Sequence, residues 1–288
     1  QRHLVAPFLT KTGAPLAALA NSEPGGSANF GSSAEGTGTR THARLEGDEW
    51  VINGAKHWVS SATGWDGLGA DLLTVVCRTD AMESSPAGLS VIAVNRGASG
   101  FRHTSSADTL GHRAHLTPRF SFEGTRVPRS NLIGPMGGGK AIIDGSFAGT
   151  AALVGVMAVG LMRRAFDFAL HFARTERRGG PHPIIGHQAV GDGLCDAKAA
   201  LEARRYLSWR ACDAMDRQEP GALELALHAK VYCSEAAVRV ITDLMRLVGI
   251  DSYDHDLPLA GTLQDAMVLP LFDGGNMGVR RRQLHDLM

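Results

Sequence analysis

The sequence predicts two domains of different class, an antiparallel β-barrel or sandwich followed by a C-terminal four-helix bundle. Two observations carry that reading. The first half alternates short β-type runs with Gly, Ser and Thr turns, whereas in the second half apolar residues recur every three or four positions. The change of period falls at a glycine cluster, Pro135-Met136-Gly137-Gly138-Gly139. The expected organisation is therefore the end of a preceding helical domain over 1–12, a β domain over 13–136 and a helical domain over 137–288.

Glu49-Trp50-Val51-Ile52-Asn53-Gly54 reads as a strand running into a turn, because Asn-Gly favours hairpin geometry. Leu72 to Cys77 and Leu89 to Val94 are further strands, separated by a polar loop around Glu83-Ser84-Ser85-Pro86. Arg119-Phe120-Ser121-Phe122 alternates as a half-buried strand does. In the second half Val154, Met157, Leu161, Ala165, Phe168 and Phe172 form one apolar stripe, with Arg163, Asp167, His171 and Arg174 on the other face. Helical stretches follow over about His187 to Arg217 and Leu223 to Leu247, and a short one from Asn276 to Met288. Gly179-Gly180-Pro181, Glu219-Pro220-Gly221 and Gly249 interrupt them. Gln1 to Leu9 reads as the last turns of a helix that begins upstream, and the chain as a fragment.

The chain has 288 residues, with Lys+Arg 29 balancing Asp+Glu 29, so no basic field recruits nucleic acid or an anionic membrane. The longest apolar run, Ala151 to Met162, falls short of the roughly 20 residues that span a bilayer. Cys77, Cys195, Cys212 and Cys233 lack zinc-like spacing and read as ordinary thiols of an intracellular, by preference cytoplasmic, protein. The histidines make no HExxH pattern, Asp254-His255-Asp256 sits in a polar loop, and no GxSxG is present. Gly134 to Ala141 nearly matches a phosphate loop, but Ala141 replaces the magnesium-binding hydroxyl, leaving a glycine hinge.

Four segments carry chemistry. Leu271-Phe272-Asp273-Gly274-Gly275-Asn276 sets one carboxylate in a glycine-rich turn, and Gly274 and Gly275 let backbone approach a flat ligand. Arg280 follows seven residues on, close to two helical turns, so it can orient Asp273. That combination suits a general base beside a planar cofactor; taken alone, Asp273 reads equally as a helix cap. Trp58 and Ser60 place an indole and a hydroxyl on one side of a strand, fit for an aromatic cofactor or for core and surface. Ser22 and Ser27 bound a small-residue turn of the kind that holds flavin edges or phosphates, or simply turns. Arg178, His187 and Gln188 could face a diphosphate or solvent.

Together these segments resemble the acyl-CoA dehydrogenase superfamily of flavoproteins over nearly the whole chain. Ser22-Glu23-Pro24 looks like its Thr-Glu-Pro turn, and Ile52-Asn53-Gly54-Ala55-Lys56-His57-Trp58-Val59-Ser60 is similar to its Leu-Asn-Gly-x-Lys-x-Trp-Ile-Thr strand. Leu110-Gly111-His112-Arg113 and Val127 to Gly134 match the segment leaving its β domain. Asp265-Ala266-Met267 and Phe272-Asp273-Gly274-Gly275 fall where it has Asp-Ala-Lys and Tyr-Glu-Gly-Thr.

Departures from the common pattern resemble the nitroalkane-oxidase branch. Asp273 replaces the glutamate, Phe147 stands where the family carries an arginine, Arg178-Gly179-Gly180 replaces Arg-x-x-Phe-Gly, and Val248-Gly249-Ile250-Asp251 reduces the adenine loop. Ser22 to Asn29, Ala151 to Gly155 and above all Leu271 to Gln283 are similar to that branch. The resemblance implies FAD, with Asp273 as base, Arg280 as its ion-pair partner and Thr150 as a nearby hydroxyl. It implies Trp58 packing on the flavin, Ser60 donating to it, Ser22, Ser27, Gly249, Gly274 and Gly275 contacting it, and Arg178, His187 and Gln188 near its diphosphate. It further implies a homotetramer that oxidises nitroalkanes with oxygen, releasing nitrite and hydrogen peroxide. The alternatives are dehydrogenation of an acyl-CoA thioester, or an inactive relative truncated at the first helical domain.

Overall fold

The computed structural model describes residues 2–10, 12–32, 34, 37–79 and 88–288. The loop expected around Glu83 to Pro86 lies outside the described residues. The chain divides into two compact units, Gln1–Thr109 with Arg113–Asp144, and Leu110–His112 with Gly145–Met288. The division thus falls within a helix, eight residues beyond the expected boundary at 136/137.

The first unit opens with a helical turn α1 (Arg2–Val5) and a 3-10 turn Ala6–Leu9. One mixed sheet follows, built from β1 (Ala17–Ala20), β2 (His42–Glu46), β3 (Glu49–His57), β4 (Leu72–Thr79), β5 (Leu89–Val94), β6 (Phe101–Ser106), β7 (Pro118–Pro128) and β8 (Leu132–Ile133). Its order is β6-β7-β3-β2-β4-β5-β8, with β1 also on β4. The pairings are antiparallel except for two. Both β1 and β2 run parallel to β4, β1 against Leu72 to Val75 and β2 against Arg78 and Thr79. The expectation of a wholly antiparallel domain is corrected there. Strand direction depends on which distant segment fills an edge, and residue alternation carries no such information.

Asn53-Gly54 is not a hairpin turn. β3 continues through it, with a bulge against β7 between Ile52 and Gly54. Gly54 adopts φ +145°, and a Cβ there would lie 2.6 Å from the Thr41 Cα. A glycine that lets two backbones touch marks a bulge rather than a turn. Trp50, Ile52, Leu73, Val75, Ile92, Phe120 and Phe122 fill the core on the sheet.

Between β1 and β2 the chain leaves the sheet edge, and one buried ion pair returns it. Lys56 Nζ donates to Glu23 Oε1 at 2.9 Å and to the carbonyls of Val76 (2.7 Å) and Asn21 (3.2 Å). Glu23 in turn accepts from the backbone N–H of Arg40 (2.7 Å) and Thr41 (2.9 Å). The Glu of the Ser22-Glu23-Pro24 turn is thus a structural anchor.

The second unit is helical: α2 (Gly139–Thr175, its first residues in the other unit), α3 (Gln188–Asp216), α4 (Ala222–Val248), α5 (Pro258–Met267), a π-helical turn Gly275–Arg280 and α6 (Arg281–Leu287). Met162, Ala165, Leu201, Ile241 and Leu244 belong to its core. α5 is an addition to the expected helices, too short for a periodic pattern to reveal. By length and composition α2 could cross a bilayer. Its Ala158, Met162, Ala165 and Ala169 are instead buried in the helical core.

Burial opposes ionisation of Glu23, but the Lys56 ammonium and the hydrogen bonds at Thr41 and Arg40 hold its carboxyl below the ordinary 4.5. The stability this contributes is fully present above pH 4.5 and is lost as pH falls through the lowered folded value. Glu23→Gln should leave the Lys56 charge buried and unpaired, costing about 3–5 kcal/mol in urea unfolding at pH 7. That variant should also lack this component of acid destabilisation. A cost below about 1 kcal/mol would show that the pair does not anchor the turn.

Candidate active site

The helical unit assembles a buried carboxylate–guanidinium pair. Asp273 ends the segment after α5 with φ +50°, and Gly274 follows at φ +88°. The Asn276 N–H closes this bend onto the Pro270 carbonyl at 2.8 Å. The residues after it form a π-turn, one residue per turn wider than an α-helix, and its last residue is Arg280. Both features bring Arg280 back over the bend. Its Nη2 donates to Asp273 Oδ2 at 2.9 Å, and its Nε to the Asp273 carbonyl at 2.7 Å. The remaining donors reach the Phe147 carbonyl (3.2 Å) on α2 and Gln283 Oε1 (3.0 Å) on α6. A Cβ on Gly274 would sit 2.9 Å from Arg280 Nε, so glycine is required there by conformation and by space.

Thr150 on α2 completes the setting by donating its hydroxyl to Asp273 Oδ1 at 2.9 Å. Each carboxylate oxygen therefore has a fixed donor and retains a lone pair able to accept a proton. The Asp273 side chain is 8% exposed and that of Arg280 1%. Leu271, Phe272 and Met277 expose apolar surface around the bend. The sequence spacing expected Arg280 beside Asp273 through two α-helical turns; the contact is made through a left-handed bend and a π-turn.

Residues that sequence reasoning missed lie behind this turn. Lys230, in the buried face of α4, donates to Asn276 Oδ1 at 2.7 Å. The Asn276 amide donates to Ser234 Oγ (3.0 Å) and Glu235 Oε1 (3.2 Å), and Arg281 grips both oxygens of Glu235 at 2.8 and 2.9 Å. The available signal was a lysine on the same helical stripe as Ala226, Ala237 and Ile241, a position where charge is rare. Burial, reinforced by Arg280, pushes Lys230 down to about 8, while Asp273 and Glu235 oppose the shift. Two matched motifs also meet here: the His112 N–H donates to Asp265 Oδ1 at 2.6 Å.

In the sheet unit, Trp58 holds a left-handed φ of +60° and exposes 57% of its surface, stacked on His57 at 4.3 Å. Arg119 Nε donates to His57 Nε2 at 2.9 Å, and burial together with that guanidinium lowers the imidazole pKa. Ser60 is exposed, and Ser27 Oγ donates to Ser22 Oγ at 3.1 Å. A strained, uncovered indole with hydroxyls in the same unit fits a planar aromatic cofactor.

Arg178 is anchored at the end of α4. Its Nη1 pairs with Asp251 at 2.8 Å, its Nη2 donates to the Val248 carbonyl, and it lies over Phe172. It caps the C-terminus of α4, whose last carbonyls lack helical partners, and Gly249 ends that helix. His187 precedes α3 with an exposed side chain, and Gln188 donates to Asp192 Oδ1 at 2.7 Å. Among the described residues no group of three or more metal-ligating side chains occurs.

The sheet unit thus carries an exposed indole, and the helical unit a buried carboxylate–guanidinium pair. The family descriptions that match are acyl-CoA dehydrogenase, middle domain, over 18–125, and acyl-CoA dehydrogenase, C-terminal domain, over 137–287. The chain belongs to the acyl-CoA dehydrogenase family, whose members are flavin-dependent oxidoreductases. It is 46% identical to a nitroalkane oxidase of Podospora anserina, over 99% of this chain and 69% of that protein. It is 31% identical to the mitochondrial short-chain specific acyl-CoA dehydrogenase of Bos taurus, over 94% of this chain and 62% of that one. Among solved structures, an active-site aspartate-to-asparagine mutant of nitroalkane oxidase crystallized with 1-nitrooctane superposes with a TM-score of 0.93. It is 38% identical, covering 99% of this chain and 70% of that one.

Arg280→Met should leave the Asp273 carboxylate buried with only the Thr150 hydroxyl, costing about 3–5 kcal/mol in denaturant unfolding. Adding Asp273→Asn should recover most of that loss, since the unpaired charge is then gone. Additive losses in the double variant would show that the two side chains do not interact.

Proposed function

We propose that the protein is an FAD-dependent oxidase of the nitroalkane-oxidase type, converting a nitroalkane, water and oxygen to an aldehyde or ketone, nitrite and hydrogen peroxide. The observation that carries this reading is the Asp273 carboxylate, fixed at one oxygen by Arg280 and at the other by Thr150. The carbon bearing a nitro group is acidic, so a positioned carboxylate suffices to take its proton. Arg280 holds Asp273 aimed, and Thr150 limits its rotation. Leu271, Phe272 and Met277 offer apolar surface for an alkyl chain. Trp58 and Ser60, with the Ser22 and Ser27 turn, would hold FAD; when bound, FAD takes the electron pair from the substrate and delivers it to oxygen. The assembly is a homotetramer.

Aspartate at 273 and Phe147 in place of an arginine favour this substrate class over an acyl-CoA thioester. So does the higher identity to a nitroalkane oxidase, 46% against 31%. The flavin-loaded protein should release nitrite and peroxide from a primary nitroalkane and fail to reduce a dye with an acyl-CoA. Asp273→Asn should lower kcat/KM for the neutral nitroalkane by about 10²–10⁴-fold while retaining flavin. Dye reduction with an acyl-CoA and no nitrite from a nitroalkane would assign the dehydrogenase reaction instead.

A further inference from the structure

Lys230 is fully buried in α4, yet its hydrogen-bond acceptor there is a neutral amide, Asn276 Oδ1 at 2.7 Å. A methionine would fill such a position without the cost of desolvating an ammonium, so packing alone does not explain a lysine. Its compensation comes from carboxylates beyond the amide. Those that favour its charge are Asp273, at the bend before the π-turn, and Glu235, further along α4; Arg280 opposes it. Glu235 is already held at both oxygens by Arg281 of α6. From α2 come the Thr150 hydroxyl and the Phe147 carbonyl, both neutral. Asn276 stands second in the π-turn, three residues after Asp273 and four before Arg280. Its backbone N–H reaches Pro270, its carbonyl accepts from the Arg281 N–H and its side chain reaches Ser234 and Glu235, so Asn276 ties both ends of the turn to α4.

We propose that Lys230 is a positioning residue for proton abstraction: from α4 it locks the Asn276 amide, and with it the π-turn that presents Asp273 and Arg280. The inference rests on the nitroalkane reading above. Its test compares a neutral nitroalkane with the same compound pre-ionised to its nitronate, which has already lost the proton that Asp273 would remove. In the full-length, flavin-loaded protein, Lys230→Met should lower kcat/KM for the neutral substrate by about tenfold or more. Turnover of the nitronate should stay within about twofold of the parent. Amide hydrogen exchange across 273–280 should quicken.

Asn276→Leu keeps the lysine but removes its acceptor, and guards against misfolding of the first variant. It should lose neutral-substrate turnover to a similar extent, with nitronate turnover retained. Equal loss on both substrates, or none on either in these variants, would overturn the proposal. An unmodified protein that turns over neither nitro compound would instead sink the nitroalkane reading, and this inference with it.

Discussion

A guanidinium 1% exposed to solvent is tolerable only if its donors are met, and Arg280 dictates much of the helical unit on that account. It requires the carboxylate and the carbonyl of Asp273 on the same side, which an α-helical backbone does not offer. The left-handed φ values at Asp273 and Gly274 turn both groups toward it, and the π-turn supplies the extra residue that brings the guanidinium within reach. Its other bonds tie in the Phe147 carbonyl of α2 and Gln283 of α6. One side chain thereby fixes the bend, the start of α6 and a point along α2.

The chemistry follows from that fixation. A carboxylate in a flexible loop spends most of its time misdirected, and bases lose efficiency steeply with misplacement. Here rotation is stopped at both oxygens, by a cation at one and a hydroxyl at the other. An aspartate held this way acts on a carbon acid whose proton already leaves readily, which places the demand on geometry rather than on an elevated pKa.

The bend was legible in the sequence because its information is local: consecutive glycines after a carboxylate, and an arginine at a fixed offset. The spacing argument reached the right pair through an α-helix that is not there, since a π-turn leaves no periodic signature in six residues. What depends on distant chain segments was hidden. The direction of β1 and β2 against β4 is set across the sheet, Thr41 occupies the space a Cβ on Gly54 would need, and Arg178 is drawn to the end of a helix seventy residues away. The role of Glu23 was concealed for the same reason, its partner being 33 residues along.

Both units use the same device at the segments that carry their candidate residues. In the sheet unit Lys56, buried on β3, holds the turn containing Ser22 and Ser27 through Glu23 and two carbonyls. In the helical unit Lys230, buried on α4, holds the π-turn through Asn276. Neither lysine is the cheapest way to fill its space, because each ammonium gives up its hydration. A hydrophobic side chain would pack as well but would accept many loop conformations, whereas an ammonium accepts only the one that meets its acceptors. The energetic cost is therefore linked to uniqueness: two irregular segments, each too rich in glycine or too bent to hold itself, are each tied by a buried lysine reaching out from regular structure, the second alongside Arg280.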